Sequence, residues 1–396
     1  MEVMPVAKAY DGATYDLAVI GLGGLGSSTA WHAASRGLSV LGLEAFGLGH
    51  ERGASHDTSR IIRHSYHTPE YVALTFGAYD DWARLEDETG QPFVTITGGL
   101  DLYPPDAHIA MDDYLSSMDA HRIAYDVLDP AAVHDRWPAF VLPDGTTAIH
   151  QARTGIVPAA AGTAAMTRRA RELGATIQDN TRVEAIVPGS DSVELVTADG
   201  VVSAGRVVVT ADAWTAGLLA PLGVDLPLTV TEEQLTYFAP PEPSKFSPEV
   251  FPVWIWMDEP SYYGFPTYGE ATVKAAQDCG GPTVTADDRS GALDEAMLER
   301  LSVFMRGVFP ESGSPIRSKR CLYTLTPDRD FVIDRLPGHP GVIVGLGAGH
   351  GFKYAALFGR LLTDMAIDGA SSYDLSAFRF DRAALTDPSY AANWMV

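Results

Sequence analysis

Cysteine is scarce in this sequence, with only Cys279 and Cys321 among 396 residues. Two thiols cannot form the disulfide framework of a small secreted protein, which favours a reducing compartment. The chain has no paired cysteines beside its histidines and no zinc-type histidine spacing, so we predict no metal site. Because the low cysteine content favours a reducing compartment, we expect a cytoplasmic protein.

Basic residues are also few: 28 lysines and arginines face 51 aspartates and glutamates, a formal net charge of −23. This charge argues against binding to nucleic acid or to an anionic membrane surface. No stretch approaches the about 18 consecutive apolar residues of a membrane span, and the first residues lack the apolar core of a secretory signal. We predict neither a nucleic-acid nor a membrane partner.

A glycine turn follows the first apolar run of the chain, "YDLAVI" at residues 15–20. Gly21, Gly23 and Gly26 fit the G-x-G-x-x-G pattern, which allows a tight turn, close backbone approach to a pyrophosphate and close helix packing. A helical segment and a second strand ending at Glu44 come next. A carboxylate there can accept hydrogen bonds from a ribose and would repel a 2′-phosphate. The pattern predicts a dinucleotide site that disfavours NADP.

A second strand, glycine turn and helix occupy residues 341–368, at the other end of the chain. The stretch "GRVVVTADAWTAGLL" at 205–219 resembles the second FAD signature of two-dinucleotide-fold flavoenzymes, although those families usually have glycine where this chain has Asp212. We predict an α/β (α+β) fold in which a Rossmann-like FAD-binding domain is interleaved with a substrate domain built on a mixed or antiparallel sheet. The predicted FAD-binding segments are 15–90, 151–225 and 318–396, and the predicted substrate-domain segments are 91–150 and 226–317.

A basic loop at residues 50–67 stands out in so acidic a chain. Arg60 and Arg63 bracket two isoleucines, which suggests partial burial, and a buried arginine needs an anionic partner. The alternative is a solvated loop with scattered ion pairs. Lys353 poses a similar question, because a cation in the first turn of a helix opposes the helix dipole. It indicates either an anionic ligand or a side chain that points to solvent.

Cys321 lies between Lys319–Arg320 and an apolar strand in "SKRCLYTLTPDRDFVID". Neighbouring cations are expected to lower the pKa of a thiol and so favour the thiolate nucleophile. The alternative is a small buried hydrophobe, the usual state of a free cysteine. We interpret Cys279, in "QDCGG", as structural.

From about Tyr15 to Leu385 the chain resembles the monomeric sarcosine oxidase/N-methyltryptophan oxidase family, FAD-dependent amine oxidases of the D-amino acid oxidase-like superfamily. The resemblance is carried by "SHDTSRIIRHSY", "YYGFP" with the following lysine, "CLYTLTPDRDFVID" and "GHGFK". It implies hydride transfer from a secondary-amine amino acid to FAD, hydrolysis of the imine, and reduction of O2 to hydrogen peroxide by a monomeric enzyme. It also implies that Cys321 is joined through sulfur to the 8α-methyl group of FAD.

The resemblance assigns the remaining roles residue by residue. The substrate carboxylate is expected on Arg63 and Lys353, with Tyr263 and Tyr323 lining the pocket. The expected catalytic residues are Lys274, which would activate oxygen, with His56, Arg60 and Asp278. Besides Cys321, the expected cofactor-binding residues are Gly21, Gly23, Gly26, Glu44, Ser59 (in place of a usual threonine), Arg60, Val183, Gly351 and Lys353.

Asp278 departs from the family, whose sarcosine-type members carry histidine four residues after the oxygen-activating lysine. An anion there would change which amine is accepted, which leaves open a cyclic imino acid such as pipecolate, in a biosynthetic pathway, as the substrate. Two further functions are compatible with the motifs: a flavin dehydrogenase with another electron acceptor, and a non-catalytic flavoprotein. Lys274 argues against the dehydrogenase, and the joint presence of Arg63, Lys274, Lys353 and Cys321 argues against the non-catalytic flavoprotein.

Overall fold

A computed structural model describes residues 13–394. The α-helices are α1 (Gly24–Ser35), α2 (Pro69–Thr89), α3 (Met111–Ala120), α4 (Pro130–Arg136), α5 (Ala159–Glu172), α6 (Thr215–Leu219), α7 (Glu295–Val308), α8 (Ala355–Ile367) and α9 (Ala383–Thr386). The strands are β1 (Thr14–Ile20), β2 (Val40–Leu43), β3 (Arg60–Ile62), β4 (Thr95–Ile96), β5 (Gly99–Tyr103), β6 (Asp126–Leu128), β7 (Thr147–Gln151), β8 (Gly155–Val157), β9 (Thr176–Gln178), β10 (Val183–Pro188), β11 (Val193–Thr197), β12 (Gly200–Val209), β13 (Thr229–Ala239), β14 (Val253–Trp256), β15 (Tyr262–Phe265), β16 (Val273–Gln277), β17 (Ser314–Leu325), β18 (Val332–Leu336) and β19 (His339–Leu346). Among the described residues, no helix is both long enough and apolar enough to span a bilayer.

The described chain divides into two compact units, each made of separate segments. The first contains residues 13–56, 160–228 and 330–392, and the second contains 57–159, 229–329 and 393–394. The predicted fold class, a dinucleotide-type domain interleaved with a mixed-sheet domain, is confirmed.

The unit boundaries differ from the predicted domain boundaries because strand pairing crosses them. Residues 57–90 and 151–159 belong to the second unit, where β8 pairs both with β3 and with β4 of the predicted substrate domain. Residues 318–329 also belong there, because β17 pairs with β13 over almost its whole length.

The first unit is built on a sheet with a parallel core. β1 pairs in parallel with β2 on one side and with β12 on the other, and β12 continues in parallel to β19. β10, β11 and β18 extend this sheet in antiparallel pairs. The predicted strand–turn–helix–strand unit is present as β1–α1–β2, and Glu44 follows the last residue of β2.

The glycine turn between β1 and α1 is tight enough that the glycines are required. A methyl group on Gly26 would lie 1.8 Å from the carbonyl oxygen of Gly21, and one on Gly21 would lie 2.7 Å from that of Thr210. Gly21 also has a φ of +87°, which other L-residues rarely adopt. The turn therefore holds the start of α1 directly against the ends of β1 and β12.

Helix α8 packs on α1 in the first unit. Ser28 Oγ donates to the carbonyl oxygen of Ala356 at 2.9 Å, and a methyl group on Gly359 would collide with Ser28. At the helix starts, a methyl group on Gly24 would lie 2.8 Å from the Phe352 ring. The two predicted glycine turns thus begin two adjacent helices.

The second unit contains a large sheet with the order β17-β13-β16-β15-β14-β5-β7-β6, antiparallel except for the β14–β5 pair. Because side chains alternate along a strand, its central strands present two different faces. One face is apolar and packs on α7: Trp254, Trp256 and Tyr262 contact Phe304 of that helix. These aromatic residues therefore form core. The opposite face carries the polar groups described below.

We predict that Gly26→Ala destabilises the protein because its methyl group cannot fit beside the Gly21 carbonyl. Overpacking of this kind costs about 1–3 kcal/mol in the free energy of unfolding, which a urea titration measures. The control is Gly217→Ala in α6, where nothing lies within 4 Å of the added methyl group. That control should change stability by less than about 1 kcal/mol; equal losses in the two variants would contradict the packing argument.

Candidate functional site

Strand register brings four of the predicted site residues of the second unit, Tyr263, Lys274, Cys321 and Tyr323, to one face of the large sheet. Lys274 of β16 is paired with Tyr237 of β13 and Phe265 of β15, and Tyr263 lies two residues before Phe265. On β17, Cys321 is opposite Glu233 of β13. Because directly paired residues and residues two apart share a face, a single set of side chains results. We call this the polar face: Glu233, Tyr237, Tyr263, Lys274, Lys319, Cys321 and Tyr323.

Lys274 is buried and held at two points. Its Nζ donates to Asp57 Oδ2 at 3.0 Å and to the carbonyl oxygen of Ser59 at 2.8 Å. The same Nζ lies 4.5 Å from the centre of the Phe265 ring, on the next strand. Burial lowers the pKa of Lys274 to about 7; Arg60 reinforces this effect, while Asp57 opposes it. The ammonium group is therefore fixed in direction, and its charge depends on Asp57.

Asp57 was not among the predicted site residues, yet it is the acceptor around which this cluster is arranged. Its carboxylate receives the Tyr237 hydroxyl at 2.6 Å as well as Lys274, and Lys319 Nζ lies at 3.5 Å. Burial raises the pKa of Asp57, but Lys274 and the hydrogen bonds outweigh it and hold the pKa well below its ordinary value. Asp57 also has a φ of +75°, and a non-glycine residue in this strained region often marks a functional position.

The expected direction of the Cys321 pKa shift is wrong. Burial raises the pKa of the thiol to about 11, although Arg60 and Lys274 act in the opposite direction. The neighbouring Arg320 belongs to the other face of β17, where its guanidinium lies 3.3 Å from Glu232. Lys319 is directed to Asp57. Adjacency in sequence therefore did not place these cations on the thiol.

Tyr263 and Tyr323 meet on the polar face, with their hydroxyl oxygens 3.4 Å apart. Burial raises the pKa of both phenols, so both remain neutral donors and acceptors at ordinary pH. The predicted pocket tyrosines are thus brought together.

Arg63 is buried beside a carboxylate that sequence reasoning missed. Its Nη1 donates to Asp101 Oδ1 at 3.1 Å, and only about 7% of the Arg63 side chain is exposed. The guanidinium also lies over the ring of Tyr66 at 4.7 Å. Burial would lower the pKa of Arg63, but Asp101 outweighs it, so the guanidinium stays charged. The anionic partner expected for Arg63 is therefore present within the protein itself.

Asp278 is also engaged. Its two carboxylate oxygens accept from Arg329 Nη1 and Nη2 at 2.7 and 2.9 Å, a bidentate pair. The acid at this position is therefore matched by a guanidinium 51 residues further along the chain. Asp278 is near enough to Tyr263 and Tyr323 to raise the pKa of both.

The predicted residues of the first unit cluster around the two glycine turns. Glu44 Oε2 accepts from the Leu22 amide at 2.8 Å, and Glu44 Oε1 accepts from the Phe46 amide at 3.1 Å. Burial raises the pKa of Glu44, but hydrogen bonds from His50 and these amides lower it below its ordinary value, so Glu44 is ionised. A cleft of about 480 Å³, lined by Phe46, Gly47, Leu48, Gly49, His50, Arg52 and Asn180, opens beside it.

The remaining predicted positions of the first unit lie at the ends of its elements. Val183 begins β10, His56 is buried in the loop after β2, and Gly351 begins a short 3₁₀ turn that leads into α8. Lys353 lies in that turn instead of the first turn of α8, and its Nζ donates to the carbonyl oxygen of His350 at 2.8 Å. Asp212, at the position where glycine was expected, has a φ of +46°, so the left-handed geometry that favours glycine is kept.

Residues 16–365 match the family model described as FAD dependent oxidoreductase, and the chain belongs to this family. It is 33% identical over 374 residues to a monomeric sarcosine oxidase of Streptomyces avermitilis, covering 92% of this chain and 97% of the relative. It is 32% identical to an N-methyl-L-tryptophan oxidase of Yersinia pestis, covering 93% and 99%. Its fold is similar to that of NikD, "an unusual amino acid oxidase essential for nikkomycin biosynthesis", with a TM-score of 0.83, 27% identity and coverage of 92% and 97%. The family resemblance predicted from sequence is confirmed.

The first unit fits the dinucleotide part of FAD. The α1 N-terminus has no acidic residue in its first turn, and its N-cap residue, Gly23, supplies no capping side chain; the Gly24 amide donates to Ser55 Oγ at 2.9 Å. This is the arrangement that binds a pyrophosphate. An ionised Glu44 can accept from ribose hydroxyls beside a cleft wide enough for part of a ligand. Residues 13–394 contain no group of three or more histidine, cysteine or acidic side chains arranged to bind a metal ion.

We predict that Asp57→Asn destabilises the protein by about 3 kcal/mol, because buried Lys274 loses its counter-ion and must either stay charged without one or give up its proton. Asparagine keeps the shape and tolerates the positive φ, so the loss reports on charge. It is measured by urea unfolding at pH 7. The double variant Asp57→Asn, Lys274→Met should recover most of the loss, and a double variant as unstable as the single one would contradict the pairing.

Proposed function

We propose that this protein oxidises the C–N bond of a small amino acid that carries a secondary amine, with release of the imine and formation of hydrogen peroxide from O2. Support comes from the polar face, which joins a buried, oriented lysine to a tyrosine pair and a cysteine in a chain of the FAD-dependent oxidoreductase family. The observation that carries the proposal is the doubly held Lys274. When bound, FAD would supply a two-electron acceptor that oxygen can regenerate.

The lysine is suited to work on oxygen. Asp57 and the Ser59 carbonyl fix its direction, so its charge is available without reorganisation where negative charge develops on oxygen. A preorganised cation in a buried site stabilises such charge more strongly than one in water. This role favours an oxidase over a dehydrogenase with another electron acceptor.

The substrate is proposed to bind by its carboxylate and its amine. Arg63 and Lys353 would hold the carboxylate, with the Arg63 donors that Asp101 does not occupy. Tyr263 and Tyr323 would line the space around the amine. Their neutral hydroxyls can donate to or accept from an amine without adding charge. The amine would react as the neutral base, and His56 and Arg60 would complete the catalytic set.

The proposed cofactor contacts divide between the two glycine turns and the polar face. Gly21, Gly23, Gly26, Glu44 and Val183 would hold the nucleotide part. Ser59, Arg60, Gly351 and Lys353 would lie around the flavin, which Cys321 would bind as an 8α thioether. We also propose that the enzyme acts as a monomer.

A second candidate substrate is a cyclic imino acid. The observation that favours it is Asp278, an acid where sarcosine-type members of the family carry histidine. N-methyl and cyclic amino acids share the carboxylate and the secondary amine and differ in the ring. A single series that contains both types therefore distinguishes the two candidate substrates.

The test is anaerobic bleaching of the flavin absorbance by N-methyl amino acids, cyclic imino acids and the matching amines without a carboxylate. We expect bleaching by at least one secondary-amine amino acid, slower bleaching by its decarboxylated analogue, and one peroxide per turnover once air is admitted. Bleaching without peroxide would favour a dehydrogenase. No bleaching by any compound of the series would contradict the proposed function.

The tether is tested by Cys321→Ala against the matched control Cys279→Ala. We expect yellow colour to stay with acid-denatured wild-type protein and with the control, and to wash out of the Cys321→Ala variant. Flavin fluorescence of the protein band on a denaturing gel measures this. Free flavin from the wild type, or colour retained by Cys321→Ala, would show that Cys321 is not the attachment point.

A further inference from the structure

In the Arg329–Asp278 pair, the arginine side chain is buried, whereas the aspartate side chain is partly exposed. About 3% of the Arg329 side chain is exposed, against 18% of Asp278. A planar guanidinium bound to both oxygens of a carboxylate is the strongest geometry for such a pair. The Arg329 guanidinium also lies 6.0 Å from the centre of the Tyr323 ring. Beside the tyrosine pair there is therefore a carboxylate whose charge is already compensated.

The local backbone is shaped around this contact. Arg329 ends a turn in which its amide donates to the carbonyl oxygen of Thr326 at 3.0 Å, and it has a φ of +59°. Cys279, directly after Asp278, has a φ of +51°. A left-handed conformation is unfavourable for both residue types and persists only where the surroundings impose it. One of these residues is a member of the ion pair and the other directly follows its partner, which indicates that the geometry of the pair is specified.

The end of the described chain fixes the arginine from the other side. Arg329 Nη1 donates to the carbonyl oxygen of Trp394 at 2.7 Å, and Trp394 Nε1 donates to that of Thr326 at 3.1 Å. The amide of Asn393 donates to the carbonyl oxygen of Pro327 at 2.8 Å. Arg329 is therefore held in a fixed orientation and does not have to reorganise to meet Asp278.

A second acid lies close by. Glu233 accepts from the amides of Gly280 and Gly281 at 3.0 and 2.9 Å, directly after Asp278 and Cys279. Burial raises the pKa of Glu233 to about 7, and Asp278 adds to this effect. Without Arg329, two carboxylates would share this part of the protein with no matched cation.

We infer that Arg329 is a specificity-determining residue: by closing an ion pair with Asp278, it prevents that carboxylate from binding a cationic amine and keeps the Tyr263–Tyr323 side selective for an uncharged one. The inference rests on the proposed function. It assigns Asp278 an indirect role, in which the acid is neutralised by the protein instead of by the ligand.

The test uses a pair of inert ligands with the same shape. Trimethylammonioacetate and 3,3-dimethylbutanoate differ only in a cationic nitrogen in place of a carbon, so their size cancels in the ratio of dissociation constants. Both are titrated by calorimetry into the holoenzyme. We expect the wild type to prefer 3,3-dimethylbutanoate, and Arg329→Gln to shift the ratio at least about tenfold towards the cation, because a charged contact is then available.

Three further variants control for other causes. Arg329→Lys keeps the cation and should keep most of the wild-type preference. The double variant Asp278→Asn, Arg329→Gln removes both charges and should lose the shift; it also remains testable if the single variant folds poorly. Arg306→Gln removes an exposed arginine paired with Glu299 on α7 and should leave the ratio unchanged.

The outcomes separate the inference from the proposed function. A folded Arg329→Gln variant that binds both ligands in the wild-type ratio would overturn the inference and leave the carboxylate pocket intact. A double variant that keeps the shift would overturn it as well, since the effect would not pass through Asp278. Binding of neither ligand to the wild type would overturn the carboxylate pocket, and the inference with it.

Discussion

A buried charge is tolerated only beside an opposite charge, and this constraint organises the second unit. Taking an ion out of water costs several kcal/mol, which is recovered only when a partner with good geometry is present. Lys274 meets Asp57, Arg63 meets Asp101, and Arg329 meets Asp278. Each of these three buried cations therefore has an internal counter-ion. The protein can fold with these cations in place before any substrate is present.

The internal partners also determine which hydrogen-bond donors of each cation remain available to a ligand. Asp57 and the Ser59 carbonyl take two of the three ammonium protons of Lys274, which leaves one direction for a ligand. Arg63 gives Nη1 to Asp101. Arg329 gives both terminal nitrogens to Asp278, and one of them also to the Trp394 carbonyl. The three cations therefore differ in what they can still bind: Lys274 keeps one direction for a ligand, whereas both terminal nitrogens of Arg329 donate to Asp278.

The sequence patterns predicted those parts of the fold that depend on neighbouring residues. The β1–α1–β2 unit and the two glycine turns with the helices that follow them could be predicted, because their patterns extend over a few residues. The sequence patterns could not predict the counter-ions, because Lys274 and Asp57 are 217 residues apart and Arg63 and Asp101 are 38 residues apart. No local pattern specifies which acid will meet which base. The positive φ of Asp57 and of Arg329 was equally hidden, since neither residue is glycine or asparagine.

At Cys321, strand geometry reverses the expectation that the cations adjacent in sequence lower the pKa of the thiol. Lys319 and Arg320 precede it in sequence, but alternation sends Arg320 to the other face and Asp57 engages Lys319. The cations that act on the thiol are Arg60 and Lys274, which arrive from β3 and β16. Burial, reinforced by Glu233 and Asp57, holds the pKa of the thiol high. The charges of Arg60 and Lys274 act in the opposite direction and so favour a thiolate. The same lysine that is proposed to act on oxygen thereby also favours the reactive form of the proposed attachment residue, and both effects depend on the carboxylate of Asp57.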